Sequence, residues 1–324
     1  MRCGGISNEF GSVAGACGLW QDAQRTTGSV VTTEKGMFRN YLQRLYRTIV
    51  PMIYRKSNYK LFLQRSFVQL NGDVRRIALA TDVLSSVVRP IMLNAPLGRS
   101  MLVVAPHQDD EIIGCGGALL LQLKAGRRAS VVFVQDGGNE HEESGLSREQ
   151  LVELREVEAN RVADALQIDR PLFLRQADVN RRTVPDIAAA LRAELERTQA
   201  DCVMVPFFLD YNTEHQYSNV ALAEALASVE RNVRVFGYEV WGLCVANTAL
   251  VIDSVMARKQ ELLSYYQSQI SGTDYVNAVT GLNMYRSRAL GAGTCKYLEC
   301  YFEIPSSEYV PLIRKIYPEH DSNQ

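Results

Sequence analysis

Met101-Leu-Val-Val-Ala105 runs directly into Pro106-His107-Gln108-Asp109-Asp110-Glu111 and, after two isoleucines, into Gly114-Cys115-Gly116-Gly117. An apolar run of strand type ends abruptly in an imidazole and three carboxylates, and small residues then open a helical pattern over Ala118–Gly126. The chemistry is expected at this junction.

Downstream the pattern alternates. Ala129–Gln135 reads as a second buried strand, and Ser147–Leu166 as a long helix whose Ser147 and Gln150 fit a capping box. Pro171–Leu174, Cys202–Phe207 and Val233–Val240 read as further strands, separated by helices over Pro185–Thr198 and Ser218–Val229. Regular strand and helix alternation predicts an α/β fold: a Rossmann-like, doubly wound, mainly parallel sheet with helices on both faces. In the commonest doubly wound order, 3-2-1-4-5, the first and fourth strands are neighbours, and a crevice opens beyond their carboxyl ends. The loop after the first carries His107, Asp109 and Asp110; the loop after the fourth carries Asp210-Tyr-Asn212-Thr-Glu214-His215. Two of the four histidines are thus predicted to face one cleft.

A catalytic zinc takes three protein ligands from His and carboxylate and keeps a fourth position open. His107, Asp110 and His215 supply that set: a His-x-x-Asp spacing across a strand-to-loop turn lets two side chains converge, and His215 closes the third corner. Zinc is therefore the expected cofactor. Asp109 is not needed to hold it and is expected as the general base that takes a proton from water and returns it to a leaving amine, which is amide hydrolysis. Glu111 is expected behind these groups or at the helix N-terminus, where the dipole favours its charge. Taken singly, a histidine after a strand is more often a hydrogen-bonded loop residue, and an Asp-Asp pair a cap or wet turn. The two converging loops carry the argument.

Pro106-His107-x-Asp109-Asp110-Glu111 with Gly114-x-Gly116-Gly117 resembles the signature of the LmbE-like family, which includes the N-acetylglucosaminyl-phosphatidylinositol de-N-acetylases. The likeness extends from about Met101 to Gln269 and takes in Arg155-x-x-Glu158, the Asp210–His215 loop, Tyr238-Glu239, Lys259 and Ser268-Gln269. It implies zinc on His107, Asp110 and His215, Asp109 as base, and an N-acetylated amino sugar that loses acetate. Arg155 is similar to an arginine that holds substrate, with a helix-face ion pair to Glu158 as the plainer reading; Asp210 is likewise expected to bind substrate. Three positions depart from the family pattern: Gln108 stands for Pro, Glu214 for Asp, and Asn212 where many members carry a second His. Asn212 is expected to assist catalysis by donating to an oxyanion, but it carries no proton, so a general-acid contribution of about 100- to 10,000-fold would fall to Asp109.

At 324 residues, 47% of them hydrophobic, the chain suits one catalytic domain with extensions. The expected division is a poorly ordered 1–36, a basic amphipathic extension over 37–100, a catalytic domain over 101–304 and a tail over 305–324. No apolar window is long enough to span a membrane, and nothing near the start resembles a secretory signal. Seven cysteines without Cys-x-x-Cys spacing suit reduced thiols, so a cytoplasmic location is expected. Between Met37 and Ser100 there are eleven Arg and Lys against Asp73 and Asp82, whereas the remainder from Met101 is acidic. The extension reads either as a helix packed with its arginines outward or as a contact for an anionic membrane or lipid-linked substrate. Nucleic acid is not an expected partner, because the acidic remainder would repel a phosphate backbone.

Two rival functions remain. Gly114-x-Gly116 after a strand, with Asp136 about 20 residues on, suggests a nucleotide-binding dehydrogenase, but Leu119 fills a position that the fingerprint needs small. The other is a catalytically weak or silent sugar-binding protein on the same fold. Asp136 and His141 are candidates for the cleft after the second strand. Cys115 reads as a small buried residue, His320 as a tail residue without a role, and Cys295 with Cys300 as strand residues.

Overall fold

A computed structural model describes residues 90–139, 144–270, 274–290, 293 and 295–318. The stretch 1–36, most of the 37–100 extension, His141 and His320 lie outside the described residues. In chain order the elements are β1 (Ile91–Leu93), β2 (Ser100–Ala105), α1 (Asp110–Lys124), β3 (Arg128–Gln135), α2 (Arg148–Leu166), β4 (Leu172–Gln176), α3 (Val184–Thr198), β5 (Cys202–Pro206), α4 (Thr213–Leu226), β6 (Arg234–Tyr238), β7 (Thr248–Val251), α5 (Met256–Leu263), α6 (Gln267–Ile270), α7 (Tyr275–Ala289), β8 (Leu298–Pro305) and α8 (Ser306–Ile316).

The eight strands form one sheet in the order β1-β7-β8-β6-β5-β2-β3-β4. Its parallel core, β4-β3-β2-β5-β6, is the order expected from the sequence, with β2 in the central place. Beyond β6 the sheet turns mixed: β8 runs antiparallel to both β6 and β7. Every residue of β2 is buried, because helices cover both faces. Alternation sorts its side chains. Leu102 and Val104 join Ile187 and Leu191 of α3, Leu222 of α4 and Leu312 of α8, while Met101, Val103 and Ala105 join Ile112 of α1, Val162 of α2 and Leu262 of α5. No helix among the described residues is long and apolar enough to cross a membrane.

Several elements differ from the sequence reading. Ile91–Leu93, expected in the basic extension, pairs with β7 at the sheet edge. Ser306–Ile316, expected as a tail, is a helix that buries Tyr309, Leu312 and Ile313. α4 begins at Thr213 instead of Ser218, because the Asn212 side chain accepts hydrogen bonds from the backbone N–H of Glu214 and His215 at 2.8 and 3.3 Å. The capping box at Ser147 and Gln150 forms as read, with both of its hydrogen bonds present.

The largest difference is α1, which starts eight residues before Ala118 and is broken at Cys115, whose φ of −141° is not helical. A break in mid-helix exposes carbonyls before it and N–H groups after it. The Lys259 ammonium donates to the Ile113 carbonyl at 2.9 Å, and the Glu299 carboxylate accepts from the N–H of Gly117 and Ala118 at 2.7 and 2.8 Å. Lys259 and Glu299 then pair with each other at 2.7 Å, and both are essentially fully buried. Each charge lies where the local helix dipole favours it. Gly114 is required by close approach, since a Cβ there would lie 2.0 Å from the Tyr238 ring. These glycines pack against the interior, which removes the basis of the dinucleotide reading.

Glu299→Ala leaves a buried unpaired ammonium and two orphaned N–H groups, so a loss of about 3–5 kcal/mol is expected in urea unfolding. A loss below about 1 kcal/mol would show that the break is held by other contacts.

Candidate metal centre and active site

The parallel pairing of β2 with β5 sets Val103 beside Met204, so their carboxyl-terminal loops emerge side by side. His107 follows β2, Asp110 opens α1, and His215 sits in the first turn of α4. The His107 Nδ1, Asp110 Oδ2 and His215 Nε2 atoms form a triangle with sides of 3.1, 3.3 and 3.4 Å. Ligands about 2.0–2.2 Å from a tetrahedral Zn²⁺ stand about 3.3–3.6 Å apart, so the donor set fits such an ion with one corner left over. Among the described residues these three are the one group arranged to hold a metal.

A carboxylate lies behind each imidazole, on the side away from the triangle. His107 Nε2 meets Glu214 Oε2 at 2.5 Å, so that with a cation in the triangle the proton stays on Nε2 and the Nδ1 lone pair faces the cation. Gln135 Nε2 donates to the other Glu214 oxygen at 2.6 Å. His215 Nδ1 faces Asp210 Oδ2 at 3.6 Å. Asp210 is fully buried, and its oxygens accept from the backbone N–H of Asn212, Trp241 and Gly242, each at 3.0 Å. Asp210, expected to bind substrate, is fully buried, is not among the residues that line the cleft, and lies behind His215.

The centre carries more negative charge than two neutral imidazoles can balance. Burial opposes a proton on His107, yet the carboxylates of Asp110 and Glu214 outweigh it and push the imidazole up to about 10. His215 is raised for the same reason, burial being overcome by Asp110. Burial likewise opposes ionisation of Asp110, but His215 and His107 hold its carboxyl well below the usual range. The arrangement calls for a cation, which a divalent metal supplies in place of protons.

Asp109 stands apart from the triangle. Burial and the neighbouring Asp110 carboxylate push it well above the usual carboxylate range. Its backbone has φ 139°, a region costing about 1–3 kcal/mol for a residue with a side chain. Glu111 helps hold it there: one oxygen accepts the Asp109 N–H at 3.1 Å and the other accepts the Tyr266 hydroxyl. Burial raises Glu111 to about 7 against that hydroxyl bond. Glu111 thus takes the supporting place at the helix start read from the sequence.

A cleft of about 150 Å³ opens over these groups, with His107, Asp109, Asp110, Arg155 and Asn212 in its wall. Asn212 Oδ1 is committed to capping α4, which leaves the Nδ2 amide as its remaining donor. Arg155 packs its stem against Gly137, where φ is +80° and a Cβ would lie 2.6 Å from Arg155 Cδ and from Gln108 Oε1. Glu158, the plainer partner for Arg155, instead accepts from the N–H and hydroxyl of Ser268 at 2.9 and 2.6 Å. Asp136 pairs with Arg148 and lies outside the cleft. The Cys115 thiol is buried and pushed far up by burial, as befits a packing residue. Gln135, Trp241 and Tyr275 also line the cleft and were missed. A glutamine ending an apolar strand was the available signal for the first.

Residues 102–226 match the family model PIG-L, GlcNAc-PI de-N-acetylase, so the LmbE-like likeness read from the His107 motif holds for this segment. No curated protein matches the chain. Among solved structures, the N,N'-diacetylchitobiose deacetylase from Pyrococcus horikoshii is 18% identical with a TM-score of 0.56, over 76% of this chain and 92% of that one. The zinc-inhibited form of teicoplanin deacetylase Orf2 is 14% identical with a TM-score of 0.53, over 64% and 98%. GalB, the 4-carboxy-2-hydroxymuconate hydratase from Pseudomonas putida, is 21% identical with a TM-score of 0.52, over 64% and 96%. The architecture therefore hosts a hydratase as well as deacetylases, and the reaction has to be argued from the side chains.

Removing the carboxylate behind His107 by Glu214→Ala is expected to weaken Zn²⁺ binding about 10- to 100-fold, read by competition with a chelator. His215→Ala should abolish binding. Wild-type affinity in the Glu214 variant would remove that residue from the support of the centre.

Proposed function

We propose that this protein is a zinc-dependent de-N-acetylase acting on an N-acetylglucosamine-type sugar within a glycan, glycolipid or secondary-metabolite intermediate. The observation that carries the reading is the triangle of His107, Asp110 and His215 with a separate, strained carboxylate, Asp109, beside it in one cleft. The PIG-L match and the deacetylases among the structural neighbours support the same chemistry. Two imidazoles and one carboxylate are the ligand types of catalytic zinc sites, which supports zinc as the ion.

His107, Asp110 and His215 would hold the ion, which supplies a Lewis acid that polarises the acetamido carbonyl and lowers the pKa of water to about 7. Asp109 accepts the proton of the attacking water as the new C–O bond forms. The same carboxyl then delivers the proton to the sugar nitrogen as the C–N bond breaks, giving acetate and a free amine. Asn212 donates through Nδ2 to the carbonyl oxygen as negative charge builds there. With no second histidine at position 212, Asp109 performs both proton transfers. Arg155 in the cleft wall binds sugar oxygens.

Acetate release from N-acetylglucosamine conjugates tests the reaction directly. Asp109→Asn is expected to keep its metal while kcat falls about 100- to 10,000-fold. Equal loss of metal and turnover in that variant would sink the assignment of Asp109 as base. Release of no acetate from any conjugate by a metal-loaded protein would favour the silent sugar-binding reading.

The basic excess over residues 37–100 supports peripheral contact with an anionic membrane or lipid-linked substrate in the cytoplasm. Sedimentation with anionic liposomes should fall when residues 37–89 are deleted; unchanged sedimentation would return the segment to a packing role.

A further inference from the structure

We propose that Lys259 and Tyr266 are positioning residues of the reaction: from one packed segment they clamp, at both ends, the single helical turn that carries Asp109 and Asp110. The inference deepens the de-N-acetylase reading and rests on it for the role of Asp109.

The break at Cys115 sets the turn Asp109–Ile113 apart from the rest of α1. Ile112 and Ile113 close that turn by donating their N–H groups to the Asp109 carbonyl, each at 2.9 Å. In an unbroken helix the N–H of Gly117 would bond the carbonyl of Ile113. That N–H goes to Glu299 instead, at 2.7 Å, and the Lys259 ammonium takes its place on Ile113 at 2.9 Å. The other two ammonium protons go to Glu299 at 2.7 Å and to Asn283 Oδ1 at 3.2 Å, so all three donors are used and the side chain has little freedom to shift. At the amino end the hold passes through Glu111, whose carboxylate takes the Asp109 N–H on one oxygen and the Tyr266 hydroxyl on the other.

Lys259 lies in α5 and Tyr266 just beyond its end, and both are buried. Their segment has separate anchors on α2: Arg258 Nη2 donates to the Ala165 carbonyl at 2.8 Å, and the Ser268 N–H to Glu158 at 2.9 Å. A turn that holds Asp109 at φ 139° needs such an outside support, because strain of this kind persists only where the surroundings enforce it. Neither Lys259 nor Tyr266 lines the cleft, so neither touches substrate. They reach the reaction only through where Asp109 and Asp110 stand.

Tyr266→Phe removes one hydroxyl, and Lys259→Met combined with Glu299→Gln removes the ammonium without leaving a buried charge. Both variants are to be measured for zinc affinity by chelator competition, for the visible absorption of the Co²⁺-loaded protein, and for kcat and KM of acetate release. Zinc affinity is expected to fall about ten-fold, the Co²⁺ bands to shift, and kcat at saturating zinc to fall about 10- to 100-fold with KM changed by less than about two-fold. Glu299→Gln alone keeps the bond to Ile113 and should retain more of the wild-type kcat than the double variant. Leu195→Ala, in the core near the amino end of β5 and away from the cleft, is the control: it should lower the unfolding midpoint with zinc affinity, Co²⁺ bands and kcat unchanged. Wild-type zinc affinity and Co²⁺ bands in Tyr266→Phe, an undiminished kcat there, or equal losses in the Leu195 control would overturn the clamp. Tyr266→Phe decides alone if the double variant does not fold. No acetate from the wild-type protein, with the Co²⁺ bands still shifted in Tyr266→Phe, would remove the de-N-acetylase reading and leave the clamp standing.

Discussion

β2 and β5 lie side by side in parallel, Val103 opposite Met204, and that pairing brings together residues 108 positions apart. Both strands are buried along their whole length, so a one-residue slip would turn Leu102 and Val104 toward the helices that now cover Met101 and Val103. Burial on two faces therefore fixes the register, and the register fixes where His107 and His215 emerge. The meeting of the two imidazoles is thus a consequence of how the sheet packs.

Electrostatics completes what the sheet begins. Each imidazole has a carboxylate at its back, Glu214 for His107 and Asp210 for His215, and Asp110 lies between them. Glu214 is itself tied to Gln135, and Asp210 to three backbone N–H groups, so neither support turns without losing hydrogen bonds. Asp109 lies outside the triangle, and burial together with the Asp110 carboxylate outweighs the nearby His107 and Arg155 charges and holds it above the usual carboxylate range.

The strand order and the convergence of the two loops were readable because both follow from local periodicity and a general rule of parallel sheets. The start of α4 was not, since residues 213–217 lack a clear helical stripe and the helix depends on a side-chain cap at Asn212. The break in α1 was invisible for a different reason: Glu299, which satisfies it, lies 182 residues from Gly117. Asp210 was misplaced because polarity beside a histidine suggests contact with a ligand, whereas its partners come from the loop after β6. Trp241 carries no motif, and only its exposure beside the cleft marks it.

One carboxylate joins two parts of the molecule that a protein engineer would want to vary separately. Asp210 grips the chain at Trp241 and Gly242 and also stands behind His215. Grafting a foreign loop after β6 would have to present two amides at the same spots, whatever side chains it brought. A proline at either position would remove one of the two N–H groups that share Asp210 Oδ2, the oxygen nearest His215, so a change aimed at the loop would loosen the carboxylate behind the imidazole as well.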